Sequence, residues 1–184
     1  MKFAVPALAV LFSACSVNAA LRVTPESVAQ SVQTKYDPYK DETTVVAPGL
    51  FVMPGNHMVQ TTTMFTEPGR TLARPGEVYF FMETSSFNGW QYLRDNELIL
   101  LTNRGERVNL GEASHDGDVA SGGGMVQVHE TMGYTIPVAD LRTLARADTV
   151  RGRIGSDEFV MAGDQLQMRV WQRLVQQIDS IPAR

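Results

Sequence analysis

The chain has 184 residues, 43% hydrophobic and 20% charged, with 16 Lys and Arg against 20 Asp and Glu and a formal charge of −4. This is the balance of a folded globular chain; it excludes collagen-like, coiled-coil and wholly disordered chains, and one domain is the default count at this length. A single Cys cannot bridge within the chain, and the acidic balance argues against nucleic acid, whose binding calls for a basic patch.

In chain order, Met1-Lys2 gives a minimal positive start and Phe3 to Phe12 an uncharged apolar run, followed by small residues from Ser13 to Ala20. This reads as a secretory signal peptide, because the run is too short to span a bilayer, which takes about 20 apolar residues. Two cleavage sites compete. Val17-Asn18-Ala19 places suitable residues before a cut after Ala19, making residues 1–19 the signal and 20–184 one folded domain. Phe12-Ser13-Ala14-Cys15 instead resembles a bacterial lipobox, in which the signal ends before Cys15 and that residue is lipidated, although Phe12 stands where Leu is usual. The first option, the preferred one, implies a periplasmic or secreted protein with no thiol; the second implies an outer-membrane lipoprotein. No transmembrane span is expected in the mature chain.

Thr24-Pro25-Glu26 reads as a helix start, with Val28 and Val32 on one side of a short N-terminal helix ending by Pro38. Strands are expected at Thr43–Val46, halted by Pro48-Gly49, then at Leu50–Met53, Met58–Thr66, Val78–Thr84, Tyr92–Arg94, Leu98–Thr102 and Arg107–Leu110. Turn signals about every 8–12 residues favour an antiparallel sheet or sandwich over βαβ units. Ala113 to Gly124, with three closing glycines, reads as a flexible surface loop, followed by a strand from Met125 to Tyr134. A helix is expected at 137–147, then a hairpin of Thr149–Ile154 with Glu158–Met161. A long amphipathic C-terminal helix starts at Asp164, with Leu166, Val170, Leu174 and Ile178 recurring on one side. The fold class is α+β: an antiparallel sheet or sandwich with helices near its ends.

No catalytic signature is present: the chain lacks a Gly-x-Ser-x-Gly elbow, a P-loop, His-Glu-x-x-His and Cys-x-x-Cys. No catalytic residue and no cofactor is therefore assigned. His115, Asp116 and His129 form a candidate metal set by donor type, with Asp118 and Glu130 nearby, but His129 and Glu130 are adjacent on a strand and point to opposite faces. Glu130 shares a face with Val126, Val128, Met132 and Tyr134, so it is expected to be a buried structural charge paired with Arg151, Arg153 or Arg142. Tyr79-Phe80-Phe81-Met82 suggests a strand covered on both faces, and Phe87 with Trp90 in the Ser85–Trp90 turn is the candidate binding platform for a glycan, peptide or lipid.

Glu130-Thr131-Met132-Gly133-Tyr134-Thr135-Ile136-Pro137, then Asp140-Leu141-Arg142-Thr143-Leu144-Ala145, then Val150-Arg151-Gly152-Arg153-Ile154-Gly155 and an amphipathic helix resemble the tail of uncharacterised exported bacterial envelope proteins. The resemblance covers about one third of the chain and implies location and fold, with no catalytic residue to transfer. The expectation is a non-enzymatic binding or structural domain of the envelope, acting on an unknown envelope protein or ligand. The alternative is a small metal-dependent hydrolase of an envelope polymer, using His115, Asp116 and His129.

Overall fold

Period-two alternation of apolar and polar residues carries more than half of the described residues into strands. A computed structural model describes residues 32–182 apart from 56, 57, 123 and 164. The expected signal, Cys15 and the first part of the expected N-terminal helix lie outside the described residues.

Among the described residues ten strands form two antiparallel sheets. The larger contains β1 (Gln33–Asp37), β2 (Glu42–Val52), β3 (Val59–Pro68), β4 (Glu77–Ser86), β7 (Ser114–Gly122) and β8 (Met125–Pro137), in the order β1-β2-β3-β4-β8-β7. The smaller contains β5 (Glu97–Thr102), β6 (Arg107–Glu112), β9 (Thr149–Ile154) and β10 (Asp157–Ala162), in the order β10-β9-β5-β6. Two helices among the described residues, α1 (Val138–Arg146) and α2 (Leu166–Ser180), complete their mostly β α+β architecture.

Both helices follow from their apolar spacing. In α1, Val138, Leu141, Leu144 and Ala145 are buried, with Asp140 in the first turn and Arg146 in the last, charges that suit the helix dipole. In α2 the buried stripe includes Met168, Trp171, Leu174 and Ile178. Trp171 meets Phe80 edge-on at 5.7 Å and donates its indole N–H to Thr63 Oγ1 at 3.1 Å, locking α2 onto the larger sheet. Arg74 donates to the carbonyls of Asp179 and Ile181, satisfying acceptors that a helix C-terminus leaves free. Inward residues of both sheets, such as Val45, Met82, Leu98 and Ile154, share one core with the helices.

Five expectations need correction. The chain is already strand at Gln33–Asp37, pairing with Glu42–Val46, so no helix extends to Pro38. Pro48-Gly49 does not end a strand: β2 runs through it, absorbing the irregularity as a register shift between Ala47 and Leu50. Residues 92–94 are not a strand, because the Tyr92 amide is bonded to a side chain instead of a neighbouring strand. The strand at Tyr79–Met82 is covered on one face only: Phe80 and Met82 are buried, whereas Tyr79 is exposed and pairs with Phe81 on the outer face. The C-terminal helix spans only 15 residues.

The expected loop at 113–124 also differs, and this matters most for the site. Ser114–Gly122 is edge strand β7, paired with β8 from Ser114↔Gly133 to Gly122↔Met125. A strand needs only backbone partners, and β8, 13 residues long, extends far enough to supply them.

Candidate functional site

Glu130 lies on β8 between Thr84 of β4 and Gly117 of β7. Alternation turns it inward with Val128, Met132 and Tyr134, and it is 1% exposed. Both carboxylate oxygens are engaged. Oε2 accepts the Gln91 backbone N–H at 2.6 Å, while Oε1 accepts the Tyr92 N–H at 3.0 Å and meets His115 Nε2 at 3.1 Å. The expected partner, an Arg from 142, 151 or 153, is therefore replaced by two backbone donors and an imidazole. Two charge-assisted bonds to backbone N–H groups meet the acceptor demand of a buried carboxylate, and no buried polar side-chain atom among the described residues lacks a partner.

These bonds hold down the segment between β4 and β5. Ser86 Oγ accepts from the Asn88 amide and from Gln91 Nε2, and Gln91 Nε2 also donates to the Gly89 carbonyl. Gly89 supplies the positive φ of +87° that this tight reversal requires. The Tyr92 hydroxyl donates to Asp157 Oδ2 at 3.2 Å, tying the segment to the smaller sheet. Burial, followed by the neighbouring Asp157 charge, pushes the Tyr92 phenol well above the usual tyrosine range. Tyr134 donates to the Asn96 carbonyl at 2.7 Å, and burial raises its phenol likewise.

Two aromatic residues of this segment, Phe87 and Trp90, sit at its exposed tip, whereas Tyr92 is buried. Trp90 faces the His115 ring at 5.8 Å between centroids and covers Gly117, where an added Cβ would come within 2.5 Å of the indole. Even so, Trp90 remains 40% exposed and Phe87 64%. Val119 and Val126 are also exposed, on the Gly117 and Glu130 face. Met58 is exposed beside this end of the sheet, its carbonyl accepting from Thr84 Oγ1.

The structure separates the candidate metal donors. His115 points inward to Glu130, whereas Asp116, Asp118 and His129 occupy the opposite face, with Asp118 opposite His129 in the ladder. His129 Nδ1 meets Ser85 Oγ at 2.7 Å. Among the described residues no group of three or more His, Cys, Asp or Glu is placed to hold a metal ion. Sequence reasoning missed Gln91 and Tyr92, which act through backbone N–H groups, and Gly117, whose missing side chain makes room for Trp90. A glycine between two acidic residues on an edge strand was the only available signal.

Comparison with protein-family models, with curated proteins and with solved structures returns no match. No helix among the described residues is long and apolar enough to cross a membrane.

Proposed function

We propose that this chain is an exported envelope protein, periplasmic or secreted, or an outer-membrane lipoprotein if Cys15 is retained. It acts as a non-enzymatic binding domain whose contact surface is the Phe87–Trp90 tip with Val119 and Val126 beside it. The leader-like residues 1–19 and the resemblance of residues 130–155 to exported envelope proteins support the location. One observation carries the binding role: two exposed aromatics sit on a segment fixed by a buried carboxylate. Holding such groups in place before a partner arrives lowers the ordering cost of association, and exposed aromatics anchored in this way are common contact groups.

Among the described residues no hydroxyl or thiol bonds His115, and its imidazole is committed to Glu130. This favours a structural and binding role for the pair over nucleophilic catalysis. Intact-mass and N-terminal analysis of the native protein tests the location; a chain retaining residues 1–19 contradicts it. Co-sedimentation with isolated envelope fractions tests the binding role: Phe87→Ser/Trp90→Ser is expected to reduce retention at least tenfold while the far-ultraviolet circular dichroism stays that of the folded chain, and undiminished retention contradicts it.

A further inference from the structure

A second feature lies on the outer face of the smaller sheet, where four strands present an unusual mixture. Leu101 of β5 stands between Arg107 of β6 and Arg151 of β9 in the ladder, and Ile99 stands between Asn109 and Arg153. At about 4.8 Å per strand, the Arg107 and Arg151 backbones are about 10 Å apart, and Arg151 and Arg153, two residues apart on one strand, are separated by about 7 Å. Together these residues line an open groove of about 310 Å³ with a partly exposed floor of Ile99 and Leu101.

Among the described residues none of Arg107, Arg151 and Arg153 forms an ion pair or side-chain hydrogen bond, in contrast to Arg142, which holds Asp179 at 2.6 Å. Among the described residues the only acid lining the groove is Glu158, opposite Arg153 but not paired with it. Beyond Ile99 the same face continues to Glu97 and Asp95. This face is thus polarised beyond the groove itself, from Arg107 and Arg151 at one end, through Arg153, which borders both regions, to Asp95 and Glu97 at the other. This local excess of positive charge occurs in a chain whose formal charge is −4.

We infer that this groove is a binding site for a small amphiphilic anion: a free molecule with a carboxylate or phosphate head held between Arg107 and Arg151 and a short apolar body lying over Leu101 and Ile99. Guanidinium forks match such oxyanions in bidentate fashion. The groove volume lies at the lower end of the roughly 300–1,000 Å³ typical of ligand sites, which suits a compact ligand. The acids at the far end fix its direction by repelling a head group placed there. This site is distinct from the Phe87–Trp90 tip and does not depend on that reading.

The test is an NMR titration of the full 15N-labelled chain with octyl phosphate at monomeric concentrations, alongside inorganic phosphate, octanol and phosphatidylglycerol vesicles. Octyl phosphate is expected to move the amide resonances of residues 99–101 and 151–153 saturably. Inorganic phosphate and octanol are expected to bind at least tenfold more weakly, since each supplies half of the recognition. Arg107→Gln/Arg151→Gln is expected to weaken octyl phosphate binding at least tenfold with unchanged melting temperature, whereas Phe87→Ser/Trp90→Ser leaves it intact. The inference is overturned if octyl phosphate moves only resonances around 87–90, if the arginine variant binds as the parent does, or if vesicles engage these residues while monomeric octyl phosphate does not. The last result would make the face a membrane-docking surface instead.

Discussion

Replacing Glu130 with Ala removes the acceptor for two backbone N–H groups at once. The Tyr92 amide is buried and the Gln91 amide partly so. A buried donor left without a partner costs about 1–3 kcal/mol, and the truncated side chain also leaves a void. Water reaching Gln91 offsets part of this, so the expected loss is about 3–4 kcal/mol, a large share of the roughly 5–15 kcal/mol that stabilises a typical domain. Glu130→Gln is the informative comparison. An amide keeps one oxygen for one backbone donor and sets its NH2 against the other, so it should cost about half as much. Urea denaturation followed by far-ultraviolet circular dichroism measures both, with the midpoint falling at constant slope. A loss below about 1 kcal/mol for the Ala variant, or a Gln variant less stable than the Ala one, would refute the view that backbone clamping is what this carboxylate does.

Three further outcomes follow from the same geometry. Gly117→Ala should cost about 1–3 kcal/mol, because its Cβ would meet the Trp90 ring at 2.5 Å and the His129 backbone oxygen at 2.7 Å; displacement of Trp90 should appear as a red shift in tryptophan emission, since the other tryptophan, Trp171, is fully buried. Gly152→Ala should destabilise by a similar amount of about 1–3 kcal/mol, because the Phe159 ring lies over the glycine opposite it in the ladder; an unchanged urea midpoint would contradict this. Spectrophotometric titration should show Tyr92 and Tyr134 resisting ionisation where ordinary tyrosines lose their protons, near pH 10. Because their folded-state values are raised, their contribution to stability is complete below that pH and is lost as pH rises above it; all five tyrosines ionising together in the folded protein would contradict the burial of these two.

The elements legible in the sequence were those with a strong local signal, an unbroken apolar run or a clean period. Leu98 to Thr102, Thr149 to Ile154 and the apolar stripe of α2 each announce their conformation locally, and alternation alone turned Glu130 inward. What escaped depended on tertiary context. β7 carries little of its own to specify a strand: Ser114, Asp116, Asp118 and two glycines look like a loop until β8 offers a backbone ladder. Tyr92 looks like a strand residue until its amide is taken by a carboxylate 38 residues away. Phe87 and Trp90 were recognisable as candidate contact groups by type, but the clamp that holds them was not. Backbone donors leave no mark in a sequence, and arginine was the natural first expectation for a buried acid.

The most direct test is amide hydrogen exchange at Gln91 and Tyr92, resolved by NMR. If Glu130 fixes the Phe87–Trp90 segment, the Tyr92 amide will exchange as slowly as the amides of β8, and Glu130→Ala will accelerate it by orders of magnitude more than it accelerates β8 itself. Exchange of Tyr92 at the rate of an open loop in the parent protein would contradict the account.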